Sequence, residues 1–273
     1  MKNNIVMAAA SVSFAAVVSC AGQKGDPDGT CTLKDGDVTL TWIQDNAEER
    51  LMERTLFPDA PDTLVESLGL QDGIPSTVSV FLAVTPDGMI LFDTGLGLPD
   101  SRMISSLKSL GVEPEDIGYL YLTHFHGDHI GGMVKDGAAV FPEAVVYASR
   151  EEFDAWMAMP AQKNALVREA MEVYRDKLHF FMPGDTLPCG VLAVGAPGHT
   201  PGHTVYRLGQ FIVAGDLMHG VALQMGHPEI SASYDMDPEE AAQTRKIILE
   251  YAADSSLVLA GMHFPAPAFI FPE

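Results

Sequence analysis

Three of the chain's nine histidines fall in one short stretch, Thr123-His124-Phe125-His126-Gly127-Asp128-His129-Ile130-Gly131-Gly132. Neutral imidazole and carboxylate are the nitrogen and oxygen donors that suit zinc and other first-row divalent ions. The alternation lets His124 and His126 share one ion, while Asp128 and His129, swung around by the turn at Gly127, can face another. Such a density of ligand-type side chains has no packing purpose. The three cysteines, Cys20, Cys31 and Cys189, are too few and too scattered for a Cys-rich zinc site, so any metal must be held by other residues.

Three later segments supply the same chemistry. Gly195-Ala196-Pro197-Gly198-His199-Thr200-Pro201-Gly202-His203 places His199 in a Gly/Pro turn, Ala214-Gly215-Asp216 ends a run of apolar residues with a carboxylate able to bridge two ions, and Ala260-Gly261-Met262-His263 ends another with an imidazole. Any one of these alone is weak, because a lone histidine is more often structural. Their order behind the first cluster raises all three.

The elements that must present these residues are short. Strands are predicted at 38–43, 77–84, 89–92, 119–122, 144–148, 191–194, 211–213 and 257–260, from β-branched and aromatic runs, many of them bounded by Gly, Pro or Asp. Helical patterns fall between them at 102–110, 151–157 and 161–175. A further helix starts at Asp237-Pro238-Glu239-Glu240, with Asp237 as cap, Pro238 in the first position and Glu240 completing a capping box, and runs to about Ala253. This alternation predicts an α/β fold with its ligands at strand ends. Segment 46–76, broken by Pro58, Pro61, Gly69, Gly73 and Pro75, reads as an irregular excursion that could overhang the site.

The chain divides into a signal peptide (1–19), a tether (20–30) and one domain (31–273). Lys2 precedes an apolar run too short to span a bilayer as a helix, and Val17-Val18-Ser19-Cys20 resembles a bacterial lipobox, which implies an exported lipoprotein of the cell envelope anchored to the membrane through Cys20. Cys31 and Cys189 could pair in an oxidising envelope. With 37 acidic against 16 basic residues the formal charge is −21, a poor match for a phosphate backbone, so nucleic acid is not an expected partner. A small-molecule substrate is.

The motifs resemble the metallo-β-lactamase superfamily, with its H-x-H-x-D-H signature followed by separate His, Asp and His ligands. The resemblance implies an αββα sandwich, with His124, His126 and His199 holding one ion, Asp128, His129 and His263 a second, and Asp216 bridging. Asp93, in Phe92-Asp93-Thr94-Gly95, matches a position that orients the site from behind. The main class of β-lactamases has Cys at Asp216 and a drug-binding Lys at His219; flavodiiron reductases have Glu at His126; glyoxalase-type thioesterases typically carry a basic C-terminal region, absent from 264–273 here. The remaining likeness is to the branch of methyl parathion hydrolases and N-acyl homoserine lactonases, although the latter usually have Tyr where His219 stands.

Two divalent ions are therefore expected, zinc by default, with iron, manganese or cobalt also compatible. Such a pair lowers the pKa of a bridging water, so that hydroxide can attack a neutral ester, lactone or phosphotriester. Asp128, besides its ligand role, could pass a proton to the leaving group, and His219 either donates to the developing oxyanion or buttresses the bridge. His203 is expected to support its turn, with His179 and His227 outside the site. Phe125, Met133, Met218 and Phe264 are either a hydrophobic pocket or core. The alternatives are a lipid-anchored metal- or ligand-binding protein without turnover and a glyoxalase-like thioesterase.

Overall fold

A computed structural model describes residues 17–19, 29–48 and 50–271. Its strands form two large sheets. The first has eight strands in the order Val17–Ser19, Thr30–Asp35, Val38–Gln44, Ser79–Thr85, Gly88–Phe92, Tyr119–Tyr121, Val145–Ser149 and Leu178–Phe181; the second has six, Thr186–Leu187, Val191–Gly195, Thr204–Leu208, Phe211–Gly215, Val258–Gly261 and Phe269–Ile270. Side chains alternate across the first sheet as a period of two requires. Phe81 and Ala83 enter the core between the sheets, where they join Leu40, Trp42, Phe92, Tyr206, Phe211 and Ala260. Val80 and Leu82 face the other way, under Met103 and Leu107 of helix Met103–Ser109 and Val167 and Met171 of helix Ala165–Val173. Helix Pro238–Asp254 packs Ile248 and Ala252 against the outer face of the second sheet, the face that carries Ile212 and Leu259, and Asp237 caps it by accepting from the N–H of Glu240 at 3.0 Å. These layers are the αββα sandwich expected from the sequence.

Strand direction decides where the ligands emerge. Gly88–Phe92, Tyr119–Tyr121 and Val145–Ser149 are mutually parallel, so the loops after Phe92 and Tyr121 leave the same edge of the first sheet. In the second sheet Phe211–Gly215 and Val258–Gly261 are also parallel, and Val191–Gly195 points the same way because Thr204–Leu208, between it and Phe211–Gly215, is antiparallel to both. Asp93, the 123–130 loop, the 196–203 loop, Asp216 and His263 thus all follow strand C-termini. The Tyr206 hydroxyl donates to the carbonyl of Leu122 at 2.6 Å and ties the two edges together beneath that site.

Several elements differ from expectation. Segment 46–76 is structured: Arg50–Met52 pairs antiparallel with Ile74–Ser76 around helix Asp62–Ser67, and Met52, Phe57, Val65 and Ile74 form a small core with Leu223 and Ile230. Elements this short show no readable period. Strands Thr30–Asp35, Leu178–Phe181 and Thr204–Leu208 were not expected; their polar residues interrupt the apolar pattern, while ladder pairing supplies the order. Thr30 pairs with Ile43, so the fold takes in the last residue assigned to the tether, and the backbone of Val17–Ser19 pairs with Thr32–Lys34 at the sheet edge. Residues 1–16 of the assigned leader, and Cys20 with the tether through 28, lie outside the described residues. The helix expected at 161–175 is confined to Ala165–Val173, because Asn164 is held by donating its amide to Trp156 O and Met159 O. Cys31 is disulfide-bonded and Cys189 is a free thiol, so these two do not pair.

Candidate metal centre

All seven residues read from the sequence as ligands meet at the shared sheet edge. His124 Nε2 lies 3.0 Å from His126 Nδ1, which lies 2.9 Å from His199 Nε2, and the third side of this triangle is 3.3 Å. Asp216 Oδ2 completes the group at 3.2 Å from His199 Nε2 and 3.6 Å from His124 Nε2. A tetrahedral ion with bonds of about 2.05 Å requires ligand–ligand edges of about 3.3 Å, so the spacing suits such an ion. Asp128, His129 and His263 form a second group, with His263 Nε2 3.4 Å from Asp128 Oδ2 and His129 Nε2 3.8 Å from Asp128 Oδ1. Asp216 faces this group as well, Oδ1 at 3.0 Å from His129 Nε2 and Oδ2 at 3.2 Å from His263 Nε2.

The outer nitrogens show which way the inner ones are protonated. His199 Nδ1 donates to Asp235 Oδ1 at 3.0 Å, His129 Nδ1 to Asp93 Oδ2 at 2.7 Å and His263 Nδ1 to the Thr77 carbonyl at 2.8 Å. The Thr123 hydroxyl donates to Asp93 Oδ2 at 2.7 Å, which leaves its oxygen to accept from His124 Nδ1 at 3.1 Å. Four neutral imidazoles therefore turn bare Nε2 lone pairs toward one another and toward the Asp216 carboxylate. Lone pairs at this spacing repel unless a cation lies among them, and His129 Nε2 and Asp216 Oδ1 have no hydrogen-bond partner. The donor set fits divalent metal.

The electrostatics agree. Burial alone would push the Asp216 carboxyl up, but His129, His263, His124 and His219 outweigh it and hold the group well below the usual carboxylate range. Burial likewise pushes His129 down, while Asp216, Asp93 and Asp128 lift it well above an ordinary histidine. Without metal, the cluster must take up protons in its place.

Asp93 takes the orienting place expected of it: at φ 59° after Phe92, it also accepts the N–H of Thr123 at 2.8 Å, locking His129 to the cluster loop. His219 Nε2 lies 3.1 Å from Asp216 Oδ2, and burial keeps the ring neutral, pushed down to about 4. Its proton thus sits on Nε2 against Asp216, and Nδ1 offers only a lone pair, which favours the buttress over the oxyanion donor. His203 does more than support its turn: Nδ1 donates to Ala196 O and Nε2 accepts the N–H of Asp216, both at 3.0 Å. Gly215, at φ 53°, makes this possible, since a Cβ there would fall 2.5 Å from His203 Nε2. His179 stacks on Tyr147 and His227 sits beside Glu229 at the surface, both apart from the ligand groups. Phe125, Met133, Met218 and Phe264 are at most 1% exposed and belong to the core clusters.

Four contributors escaped sequence reasoning. Asp235 holds His199, and Arg245 in turn holds Asp235 through Nη2 at 3.2 Å. The Thr77 carbonyl holds His263, and Glu152 bonds the backbone of two ligand loops. None of the four stands in a ligand motif; Asp235 lies two residues before the helix cap Asp237.

The family description "Metallo-beta-lactamase superfamily" matches residues 73–263. The chain belongs to the metallo-β-lactamase superfamily. Among curated superfamily relatives, a probable metallo-hydrolase of Mycobacterium tuberculosis is 28% identical over 166 residues, 48% of this chain and 52% of that protein. An N-acyl homoserine lactonase of a Bacillus species is 32% identical over 180 residues, 65% of this chain and 66% of the relative. The chain thus spans about half to two-thirds of the length of these relatives. Solved structures align more fully. The hydrolase AbOPH of the β-lactamase superfamily superposes with a TM-score of 0.82 at 29% identity, over 90% of this chain and 94% of that one. AidC, a dizinc quorum-quenching lactonase in complex with a product, gives 0.81 at 27% identity, over 89% and 93%.

Proposed function

We propose that this superfamily member is a dinuclear metal-dependent hydrolase of neutral esters, lactones or phosphotriesters. The observation that carries the reading is Asp216, whose two oxygens face two separate ligand groups. His124, His126, His199 and Asp216 would hold one ion, and Asp128, His129, His263 and Asp216 the other. Bound there, the ions would supply Lewis acidity and an activated water, so no Ser or Cys nucleophile is needed. The side chain of Asp128 is 25% exposed, whereas those of His124, His129, His199, Asp216 and His263 are at most 3% exposed. Substrate therefore approaches past Asp128 and His126, the two half-buried ligands, and Asp128 is placed to carry a proton toward a leaving group.

Neutral substrates are favoured by what surrounds this entrance. Arg245, the cation in the ligand network, is 1% exposed and commits four of its five N–H donors to the carbonyls of Leu217, Pro228 and Ile230 and to Asp235, so it is not placed to meet a substrate anion. Tyr234, 42% exposed with its ring 5.5 Å from that of His219, offers an apolar surface beside the centre. The similarity to lactonases supports the same substrate class. The test is elemental analysis followed by a panel of lactone, aryl ester, thioester, phosphotriester and phosphate monoester, with Asp216→Ala as the inactive control. We expect two ions per chain, zinc by default, chelator-sensitive turnover and higher kcat/KM on the neutral substrates. One ion or fewer after supplementation, no turnover at all, or a preference for the monoester that persists at high salt would overturn the reading.

We further propose that residues 1–19 are an export signal and that the domain works in the cell envelope. The support is the apolar run after Lys2 together with the disulfide at Cys31, a bond that persists in an oxidising compartment.

A further inference from the structure

Helix Arg150–Met157 contributes no ligand, yet its first turn sets a carboxylate between the ligand loops. Glu152 is 1% exposed. Its Oε1 accepts from the backbone N–H of Phe125 at 3.1 Å and the indole N–H of Trp156 at 2.7 Å. Its Oε2 accepts from the Thr200 hydroxyl at 2.8 Å and the Gly202 N–H at 2.9 Å. Phe125 lies between His124 and His126, and Thr200 follows His199. One side chain thus bonds both segments that bring the three imidazoles of the first ligand group together. The approach is close enough to demand glycine at 202, where a Cβ would fall 2.2 Å from the backbone N of Glu152.

We propose that Glu152 is a positioning residue that fixes the His124–His126 segment against the His199 segment and so sets the affinity of the ion those three imidazoles hold. Helix formation does not call for it, since Ser149 already caps this helix by accepting from the Glu152 N–H. Four donors converge on its oxygens and no acceptor does, the arrangement that makes a buried carboxylate tolerable. The three imidazole nitrogens span 2.9–3.3 Å, so a small drift of one loop changes the tetrahedron directly. Altering a residue that orients ligands typically costs about 10- to 100-fold in metal affinity.

The proposal rests on the dinuclear reading, and the experiment separates the two. Glu152→Gln keeps the shape but converts one acceptor oxygen into a donor. Phe125 N–H and Trp156 Nε1–H can only donate, so the amide NH2 must face Thr200, whose hydroxyl can turn to accept, and the Gly202 N–H, which is stranded. Metal-free wild type and E152Q are titrated with Zn2+ against a chromophoric chelator, beside Leu107→Ala, a core variant that lowers Tm without removing a hydrogen bond to either ligand loop. We expect one of the two E152Q sites to weaken about 10- to 100-fold, the other to stay within about threefold, and L107A to keep both. Both E152Q sites within about threefold of wild type would overturn the positioning role. Wild type that binds fewer than two ions would instead overturn the dinuclear reading. If E152Q does not fold, Thr200→Val, which deletes one of the two bonds to the 196–203 loop, goes through the same titration. Selective weakening of one site supports the proposal and unchanged affinities reject it.

Discussion

Asp235→Asn tests whether the second carboxylate behind the metal ligands does structural and ligand-orienting work at once. Asp235 is 7% exposed, with Oδ1 on His199 Nδ1 at 3.0 Å and Oδ2 on Arg245 Nη2 and Ala232 N–H, both at 3.2 Å. The amide keeps its oxygen toward His199 and turns NH2 against two donors, leaving the guanidinium, 1% exposed, without its counter-charge. Removing one partner of a buried ion pair costs about 3–5 kcal/mol. Three carbonyls still solvate Arg245, two of them at 2.7 Å, so the lower end, about 3 kcal/mol, applies. For a chain of this size each kcal/mol moves Tm by about 2–4 °C, which gives a fall of about 6–12 °C for the metal-free protein. Scanning calorimetry reads this directly. Arg245→Met should recover part of the loss in the D235N background, because it removes the stranded charge, so the double variant should melt above the sum of the single effects. A D235N variant melting within about 2 °C of wild type, or strictly additive effects in the cycle, would refute the reasoning.

Tyr174 donates to Met133 O and accepts the Phe141 N–H, both at 3.0 Å, and burial pushes its phenol from 10.0 up to about 12. A raised tyrosine stabilises the fold fully below pH 10 and loses that contribution as pH rises through about 12, a change of about 3 kcal/mol. The stability gap between wild type and Tyr174→Phe should therefore shrink in urea melts taken from pH 9 to 11.5, and a constant gap would reject this. For the export signal, the native protein should fractionate with the cell envelope and keep its disulfide in non-reducing mass spectrometry; recovery from the cytosol, reduced and with residues 1–19 intact, would sink it.

The inner ligands were legible in the sequence, and their supports were hidden, for one physical reason. A ligand must occupy the end of a strand, so His124, His126, Asp128 and His129 fall at fixed spacing, and His199, Asp216 and His263 each follow a strand of the second sheet. What orients a ligand needs only to reach its outer nitrogen, and chain position places no constraint on it. For His263 that partner is a backbone carbonyl at Thr77, 186 residues away, which any residue type could provide. For His199 it is Asp235, which resembles any loop aspartate until folding buries it beside Arg245. Glu152 looks in sequence like one more acidic residue in a helix's first turn, where negative charge is favourable without further purpose. Asp93 was the exception because the family resemblance marks its position, in Phe92-Asp93-Thr94-Gly95. The same division explains the fold: the inter-sheet core strands show their apolar pattern, while Thr30–Asp35, Leu178–Phe181 and Arg50–Met52 are defined by ladder partners that lie elsewhere in the chain. A residue that coordinates metal is thus constrained locally, by the strand that carries it. A residue that tunes the metal is constrained only by the folded edge, which is why Asp235 and Glu152 are the positions where substitution tests the structure rather than the motif.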